Sequence, residues 1–328
     1  MTIGNLMRLL SDGEVHSGEQ LGEALGISRA AIWKQLKKLE AFGVEVRAVK
    51  GRGYQLAQSL TPLDGARIVS RLPADARRRL ARLFVEDTLP SSNEYLRRRF
   101  SQGAGHGEVC LVEQQTAGRG RRGRVWLTPW GQSLMLSVGW RFDGGVATLE
   151  GLSLAVGVAV SQVLERYGAR PQLKWPNDIL LYAPDGSLAK LAGILVEVTG
   201  DAAGPCDAVI GIGLNLALPD PLRETIGQPA AVLADTCPDL DRNALAADVV
   251  DALLALLAEF EARGFAAWQA EWNRRHAYAG YPVSVSVGHT SRHAVAGDVD
   301  AAGNLWIKEE GGGERRLAGG EISVRGRL

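Results

Sequence analysis

The sequence is poor in the residues that carry covalent and metal chemistry. Its 328 residues hold three cysteines, Cys110, Cys206 and Cys237, odd in number and far apart. That excludes a framework of paired disulfides and leaves no C-x-x-C redox or zinc signature. The five histidines, His16, His106, His276, His289 and His293, are scattered without metal-ligand spacing. No metal site is expected from them, and no Ser/His/Asp or Cys/His nucleophile constellation is present. Net charge is lacking too: Lys plus Arg and Asp plus Glu each number 37, which excludes a uniformly basic nucleic-acid coat but leaves local patches open. Residues 1–11 show no cationic segment or cleavage site, and the apolar stretches Leu152 to Val160 and Val249 to Phe260 are too short to read as membrane spans. A cytoplasmic protein without a membrane partner is the expectation.

What is present divides into three regions, which the length accommodates at roughly 100 to 200 residues per large domain. In residues 1–61 an apolar-periodic segment (Ile3, Leu6, Met7, Leu10) precedes Ser17-Gly18-Glu19-Gln20, the S-x-x-Q form of a helix-opening capping box. After a tight turn at Gly26-Ile27-Ser28, a second helix over Arg29 to Ala41 buries Ile32, Leu36 and Leu39, with Lys34, Lys37 and Lys38 largely off that face. Trp33, beside those lysines, reads first as partly buried core, with a base-stacking or backbone contact as the alternative. A strand over 44–49, a basic turn at Lys50-Gly51-Arg52-Gly53 and a return through Tyr54 and Leu56 complete a winged helix-turn-helix. From Ser28 to Leu56 seven basic residues face two acidic ones, a local charge of +5 inside a neutral chain, suited to phosphate contacts. The candidate DNA-binding residues are Ser28, Arg29, Lys34, Lys37, Lys38, Lys50 and Arg52; a protein-contact module with a solvated lysine face is the alternative.

Residues 62–278 open with a helical stretch over Asp64 to Leu83 and then alternate strand-like and helix-like segments. Several strand pairs have no helix between them, which predicts an α+β mixed sheet. Residues 279–328 alternate Val283, Val285 and Val287 and turn at Ala302-Gly303-Asn304 and Gly311-Gly312-Gly313, as a small all-β barrel does.

Four clusters in the middle region bear on chemistry. Gly118-Arg119-Gly120-Arg121-Arg122-Gly123-Arg124-Val125-Trp126 satisfies G-x-G-x-x-G, but Pro129 and Gly131 follow where a dinucleotide fold needs a helix, and no Walker G-K-[ST] is there. What remains is a glycine-permissive loop with four guanidinium forks for phosphate or carboxylate. Lys174-Trp175-Pro176-Asn177-Asp178 presents two polar side chains at a strand break. Lys190, opening an apolar strand, is either a solvated strand end or the counter-charge of a buried anion. Gly211-Ile212-Gly213-Leu214-Asn215 clears one strand face for a close approach, and Ser91-Ser92-Asn93-Glu94 opens a helix with spare polar groups.

These motifs, in this order and with the closing Gly319-Gly320-Glu321-Ile322-Ser323, resemble biotin protein ligases of the class II biotin/lipoate ligase fold. The winged helix in front resembles the bifunctional members that also repress the biotin operon. The resemblance spans essentially the whole chain. It implies a winged helix, a mixed-sheet ligase domain and an SH3-like C-terminal barrel, and a two-step reaction: biotin and ATP, with Mg²⁺, give biotinyl-5'-AMP and pyrophosphate, and a lysine of the biotin carboxyl carrier protein of acetyl-CoA carboxylase then takes the biotin. It further implies a homodimer on operator DNA when the adenylate is bound. By similarity, biotin meets Ser91, Ser92, Asn93, Gln115, Gly118, Arg119, Arg121, Lys190, Gly193, Ile194, Gly211 and Gly213. Likewise ATP meets Arg119, Arg121, Arg124, Trp126, Asn177, Lys190, Asn215 and Arg325, with Trp126 stacked on adenine, and the catalytic set is Lys190, Arg121 and Asp178. The roles of Asn177, Asp178 and Asn215 are not separated. Ser92 stands where relatives often carry threonine, and Met135 where an aromatic is more usual. A lipoate ligase and a regulator with an inactive biotin sensor are the alternatives.

Overall fold

Three short helices and a two-stranded wing begin the chain in the computed structural model, which describes residues 3–41, 43–57, 59–287, 290–319 and 322–326. His289 and the Gly320-Glu321 pair of the closing motif lie outside the described residues. Helix α1 (Ile3–Leu10) buries Leu6, Met7 and Leu10. Helix α2 (Gly18–Leu25) has the expected reciprocal cap: Gln20 N donates to Ser17 Oγ at 3.1 Å and Ser17 N donates to Gln20 Oε1 at 2.9 Å. Gly26 ends it at φ 65°, a left-handed turn that a β-carbon disfavours. The second helix of the motif, α3 (Arg29–Ala41), starts where Ala31 N donates to Ser28 Oγ at 3.2 Å, and β1 (Val46–Val49) pairs antiparallel with β2 (Gly53–Leu56). One expectation fails here. Trp33 is 48% exposed with the Lys37 ammonium 4.0 Å from its ring centroid, because Ile32, Leu36 and Leu39 hold the buried stripe and the next residue points about 100° away from it.

The helical stretch expected over Asp64 to Leu83 divides into α4 (Gly65–Arg71) and α5 (Ala74–Arg79) and stops short of Leu83, with β3 (Arg82–Leu89) already begun. Pro73, which has no N–H to donate, marks the break. Then follow α6 (Ser92–Ser101), β4 (Glu108–Gln115), β5 (Ser133–Phe142), α7 (Leu152–Arg166), β6 (Gln172–Lys174), β7 (Asp178–Tyr182), β8 (Leu188–Gly200), β9 (Cys206–Asn215), α8 (Asp220–Thr225), α9 (Arg242–Arg263) and α10 (Gln269–Arg274). The seven strands form one mixed sheet in the order β3-β4-β5-β9-β8-β7-β6, parallel only between β3 and β4. Alternation sorts the faces: Val109, Leu111, Leu134, Leu136 and Ile210 pack under α7 and α9, whereas Cys110 and Val209 pack with Leu96 of α6. The helical run Val146–Arg166 is long and apolar enough on its own to cross a membrane, contrary to the sequence expectation, yet 61% of its apolar window is buried within the protein.

The C-terminal region is a five-stranded antiparallel sheet of β10 (Pro282–Val287), β11 (Thr290–Val299), β12 (Leu305–Glu309), β13 (Glu314–Leu317) and β14 (Ile322–Gly326), in the order β13-β12-β11-β10-β14. It is docked where Trp175 Nε1 donates to Gly303 O at 3.0 Å and Gln269 Nε2 to Val299 O at 2.8 Å.

The winged helix is fastened as firmly. Arg242 of α9, held inside the central region by a buried ion pair with Glu113 of β4, donates to Thr61 O at 3.4 Å, at the end of the winged-helix segment. Trp130, from the segment after the arginine loop, is fully buried in the cluster built by Leu6, Met7, Leu10, Ile32 and Leu39. Gln132 Nε2 donates to Gly43 O at 3.2 Å, and Arg8 pairs with Asp87 at 2.8 Å.

Candidate active site

The start of α6, the α6-facing side of β5 and β9, and the end of β4 converge on a buried polar cluster. Ser91 caps the helix, its hydroxyl accepting from Glu94 N at 3.4 Å. This turns Ser92 and Asn93 inward. Ser92 donates from N at 2.7 Å and from Oγ at 3.1 Å to Gln115 Oε1. Ser137 Oγ donates to Asn93 Oδ1 at 2.6 Å and stands 2.7 Å from Ser92 Oγ, and Asn93 Nδ2 donates to Glu197 Oε2 at 2.8 Å. Ser137 and Glu197 belong to this network and were not among the expected site residues. The signal for Ser137 was present: β5 places Ser133, Met135 and Ser137 on one face by simple alternation. Together the cluster gathers amide and hydroxyl groups that are largely shut off from water and bonded to one another, a donor and acceptor set that suits a small neutral polar ring.

The alternating glycines serve close approach, as expected, but the protein's own side chains occupy the space. A β-carbon on Gly211 would overlap the Asn93 side chain; one on Gly213 would meet the Trp126 indole at 2.6 Å, and one on Gly193 would meet it at 3.0 Å. Trp126 thus lies on the glycine floor, with its Nε1 buried and lacking a hydrogen-bond partner. Gly118 is held equally close, its missing β-carbon 2.6 Å from Trp126 O and 3.1 Å from Gln115 Nε2. The arginine loop is a small hairpin closed by Gly120 N to Arg124 O (2.7 Å) and Trp126 N to Gly118 O (2.9 Å). Arg119, Arg122 and Arg124 are exposed. Arg121 turns inward and donates to Asn177 Oδ1 at 3.2 Å. Burial, with Arg122 and Arg124 nearby, draws Arg121 below the usual guanidinium range, and the Asp178 charge opposes that.

Asp178 is the anionic centre of the site. Lys190 Nζ pairs with it at 2.6 Å and Lys174 Nζ at 3.3 Å. Burial alone would raise its carboxyl, but the Lys190 and then the Lys174 ammonium outweigh this and hold it below the ordinary carboxylate range. Lys190 is therefore no solvated strand end; its ammonium also lies 5.2 Å from the Trp126 ring centroid. Lys174 was passed over in the sequence. The two asparagines differ in use. Asn177 ties loop to floor, accepting from Arg121 and donating from Nδ2 to Ile194 O at 2.7 Å. Asn215 Nδ2 donates to backbone oxygens of Lys190 (3.4 Å) and Ala231 (3.3 Å), bracing the segment that carries the lysine. Arg325 sits in β14 opposite Ser284. Among the described residues no cluster of three acidic, histidine or cysteine ligands exists, and Asp178 is already matched by two ammonium groups, so the donor set does not suit a protein-held Mg²⁺.

On the winged helix, Arg29, Lys34, Lys37 and Lys38 of α3 and Lys50 and Arg52 of the wing tip are all exposed, whereas the Ser28 hydroxyl caps α3. The cations lie on the α3 surface and on the wing, the two elements such a fold lays along a duplex.

Comparison with known proteins agrees with both halves. The Biotin/lipoate A/B protein ligase family matches residues 85–215 and an HTH domain matches residues 5–55. The bifunctional ligase/repressor BirA of Escherichia coli (strain K12) is 39% identical over 321 residues, covering 98% of this chain and 96% of the relative, and that of Salmonella typhimurium is 40% identical over the same length. Biotin protein ligase from Aquifex aeolicus in complex with biotin and ATP, 25% identical, aligns with a TM-score of 0.62 over 75% of this chain and all of its own.

Proposed function

Because this chain belongs to the biotin/lipoate A/B protein ligase family, we propose that its site activates biotin with ATP and passes it to a protein lysine, while its winged helix represses transcription. It is a bifunctional biotin protein ligase and repressor, the activity named in its relatives along nearly the whole chain. The observation that carries the catalytic half is the convergence of Lys190, Lys174 and Asp178, with Arg121 held on Asn177, which precedes Asp178 in sequence.

In the first step a biotin carboxylate oxygen attacks the α-phosphorus of ATP and the bond to the β-phosphate oxygen breaks, releasing pyrophosphate. Negative charge accumulates at the α-phosphate and the leaving oxygen. Lys190, fixed by Asp178, and Arg121, fixed by Asn177, are placed to stabilise that charge without reorganising. Ser92, Asn93, Gln115 and Ser137 orient the ureido ring, and the Gly193–Ile194 and Gly211–Gly213 segments with Gly118 form the walls. Entry of the bicycle lifts Trp126 off the glycine floor, and the indole then closes against the nucleotide. Arg119, Arg124 and Arg325 reach the phosphates. In the second step a lysine amine of the biotin carboxyl carrier protein attacks the adenylate carbonyl, forming an amide as AMP leaves with the electron pair of the broken anhydride bond. No side chain of the site is assigned to Mg²⁺, because Asp178 is held by Lys190 and Lys174; the ion would come with ATP and offset phosphate charge. We assign residues 1–61 to DNA, 62–278 to catalysis and 279–328 to the C-terminal β domain. The adenylate-bound homodimer occupies an operator through Ser28, Arg29, Lys34, Lys37, Lys38, Lys50 and Arg52.

Incubation with α-labelled ATP and either biotin or lipoate tests this directly. A labelled adenylate with biotin alone is expected; one formed only with lipoate, or none at all, overturns the assignment.

A further inference from the structure

We infer that Trp33 is a base-reading residue of the recognition helix, its indole seated against thymine methyl groups in the DNA major groove. The inference rests on the repressor assignment above and adds to it the residue that sets sequence preference. On α3 Trp33 lies on the flank, about 100° from buried Ile32, and shares the uncovered side of the helix with Ala30, Lys34 and Lys37, all exposed. An indole left 48% exposed at the fifth position of α3 lies in the N-terminal half of the helix, the part that meets base edges in helix-turn-helix proteins. Ala30, one turn earlier, leaves its near side uncrowded. The Lys37 ammonium, 4.0 Å from the ring centroid, covers a ring face and holds the indole in place by cation–π attraction.

The surroundings decide the occupant. Among the described side chains of α3 and the wing tip every charge is a cation, Arg29, Lys34, Lys37, Lys38, Lys50 and Arg52, and two acids of α2, Glu19 and Glu23, border Arg29 at the helix start. That ring of charge matches a polyanion, and the major groove of a polyanionic duplex offers one apolar feature, the C5-methyl group of thymine. The cations supply affinity without sequence information. Trp33 supplies the apolar contact that distinguishes bases, and Lys37 exchanges the ring for a phosphate when the helix docks.

The test uses the full-length protein with biotin and ATP. Binding sites are selected from a random duplex library, and the selected duplex is rescanned with uracil in place of each thymine, which removes only the methyl group. Wild type is expected to lose about tenfold in affinity at one or two positions per half-site, within the usual range for a single base-pair change. Trp33→Ala is expected to bind the thymine and uracil forms alike at those positions, whereas Lys34→Ala weakens both forms and keeps their ratio. Should Trp33→Ala fail to bind, Trp33→Phe is read the same way, its smaller ring reducing the ratio at the same positions. If wild type selects a sequence but no uracil effect shrinks in the Trp33 variants, the inference falls and the repressor assignment stands. Selection of no sequence by wild type overturns both.

Discussion

Lys190 carries the sharpest consequence at the scale of the residue. Its ammonium is 2.6 Å from Asp178, and Lys174 at 3.3 Å is a second counter-charge for that carboxylate, so a variant without Lys190 is expected to stay folded. Lys190→Ala should lower the rate of adenylate formation by about 10² to 10³ while circular dichroism and the thermal midpoint show a folded protein. Near-normal adenylation by that variant would remove Lys190 from the catalytic set. Ser92 and Asn93 were legible in the sequence because one helix cap needs a single side-chain oxygen, which Ser91 supplies, leaving the next two polar groups over for a ligand. Ser137 was missed although alternation put it on the site face of its strand, because a serine there looks ordinary until Asn93 is found 2.6 Å from it. Trp33 was misplaced because apolar type suggested core, although its position one step off the buried stripe already placed it outside.

Elements show where local chemistry becomes motion and where it becomes docking. The arginine loop is closed on itself by two backbone hydrogen bonds and on the site by Arg121, so Arg121 is the latch between hairpin and floor. Arg121→Gly should still form adenylate but release it faster, labelling bystander proteins on a biotin blot; retention as tight as wild type, with only the carrier protein labelled, counts against the latch. A different group responds to acid. His276 is buried beside Trp272, ring centroids 4.7 Å apart, and burial lowers its pKa from 6.5 to about 4, a backbone contact with Gly297 opposing. The unfolded chain therefore binds a proton below pH 6.5 that the folded one refuses until about pH 4, and stability falls as pH drops through that window, by about 3 kcal/mol in all. In urea titrations at pH 7 and 4.5, His276→Phe should lose less stability than wild type; an equal loss would place the acid sensitivity elsewhere. Helix and strand types were readable from periodicity, but ends were not. The stretch from Asp64 was read through Pro73 as one helix, and the start of β3 was hidden because Arg82 and Leu83 fit either state.

Over the whole molecule, the three regions were readable from composition and turn chemistry, but their mutual fastening was not, since the seating of Trp130 in the α1–α3 cluster and the bonds from Gln132 to Gly43 and from Trp175 to Gly303 leave no periodic trace in sequence. Trp130→Ala should destabilise the winged helix by about 3 to 5 kcal/mol. Hydrogen exchange is then expected to show α1 to α3 opening well before the central sheet; uniform protection across both would mean that the tryptophan is dispensable to that core. The segment that supplies Trp130 follows directly on the loop that carries Arg121 and Trp126. For inheritance this means the reading head and the catalytic body are not separable cassettes. A recombination that transplants only residues 1–61 into a cousin leaves Trp130 behind, so the transplanted core has to pack against whatever the cousin carries in place of the Pro129–Gln132 segment.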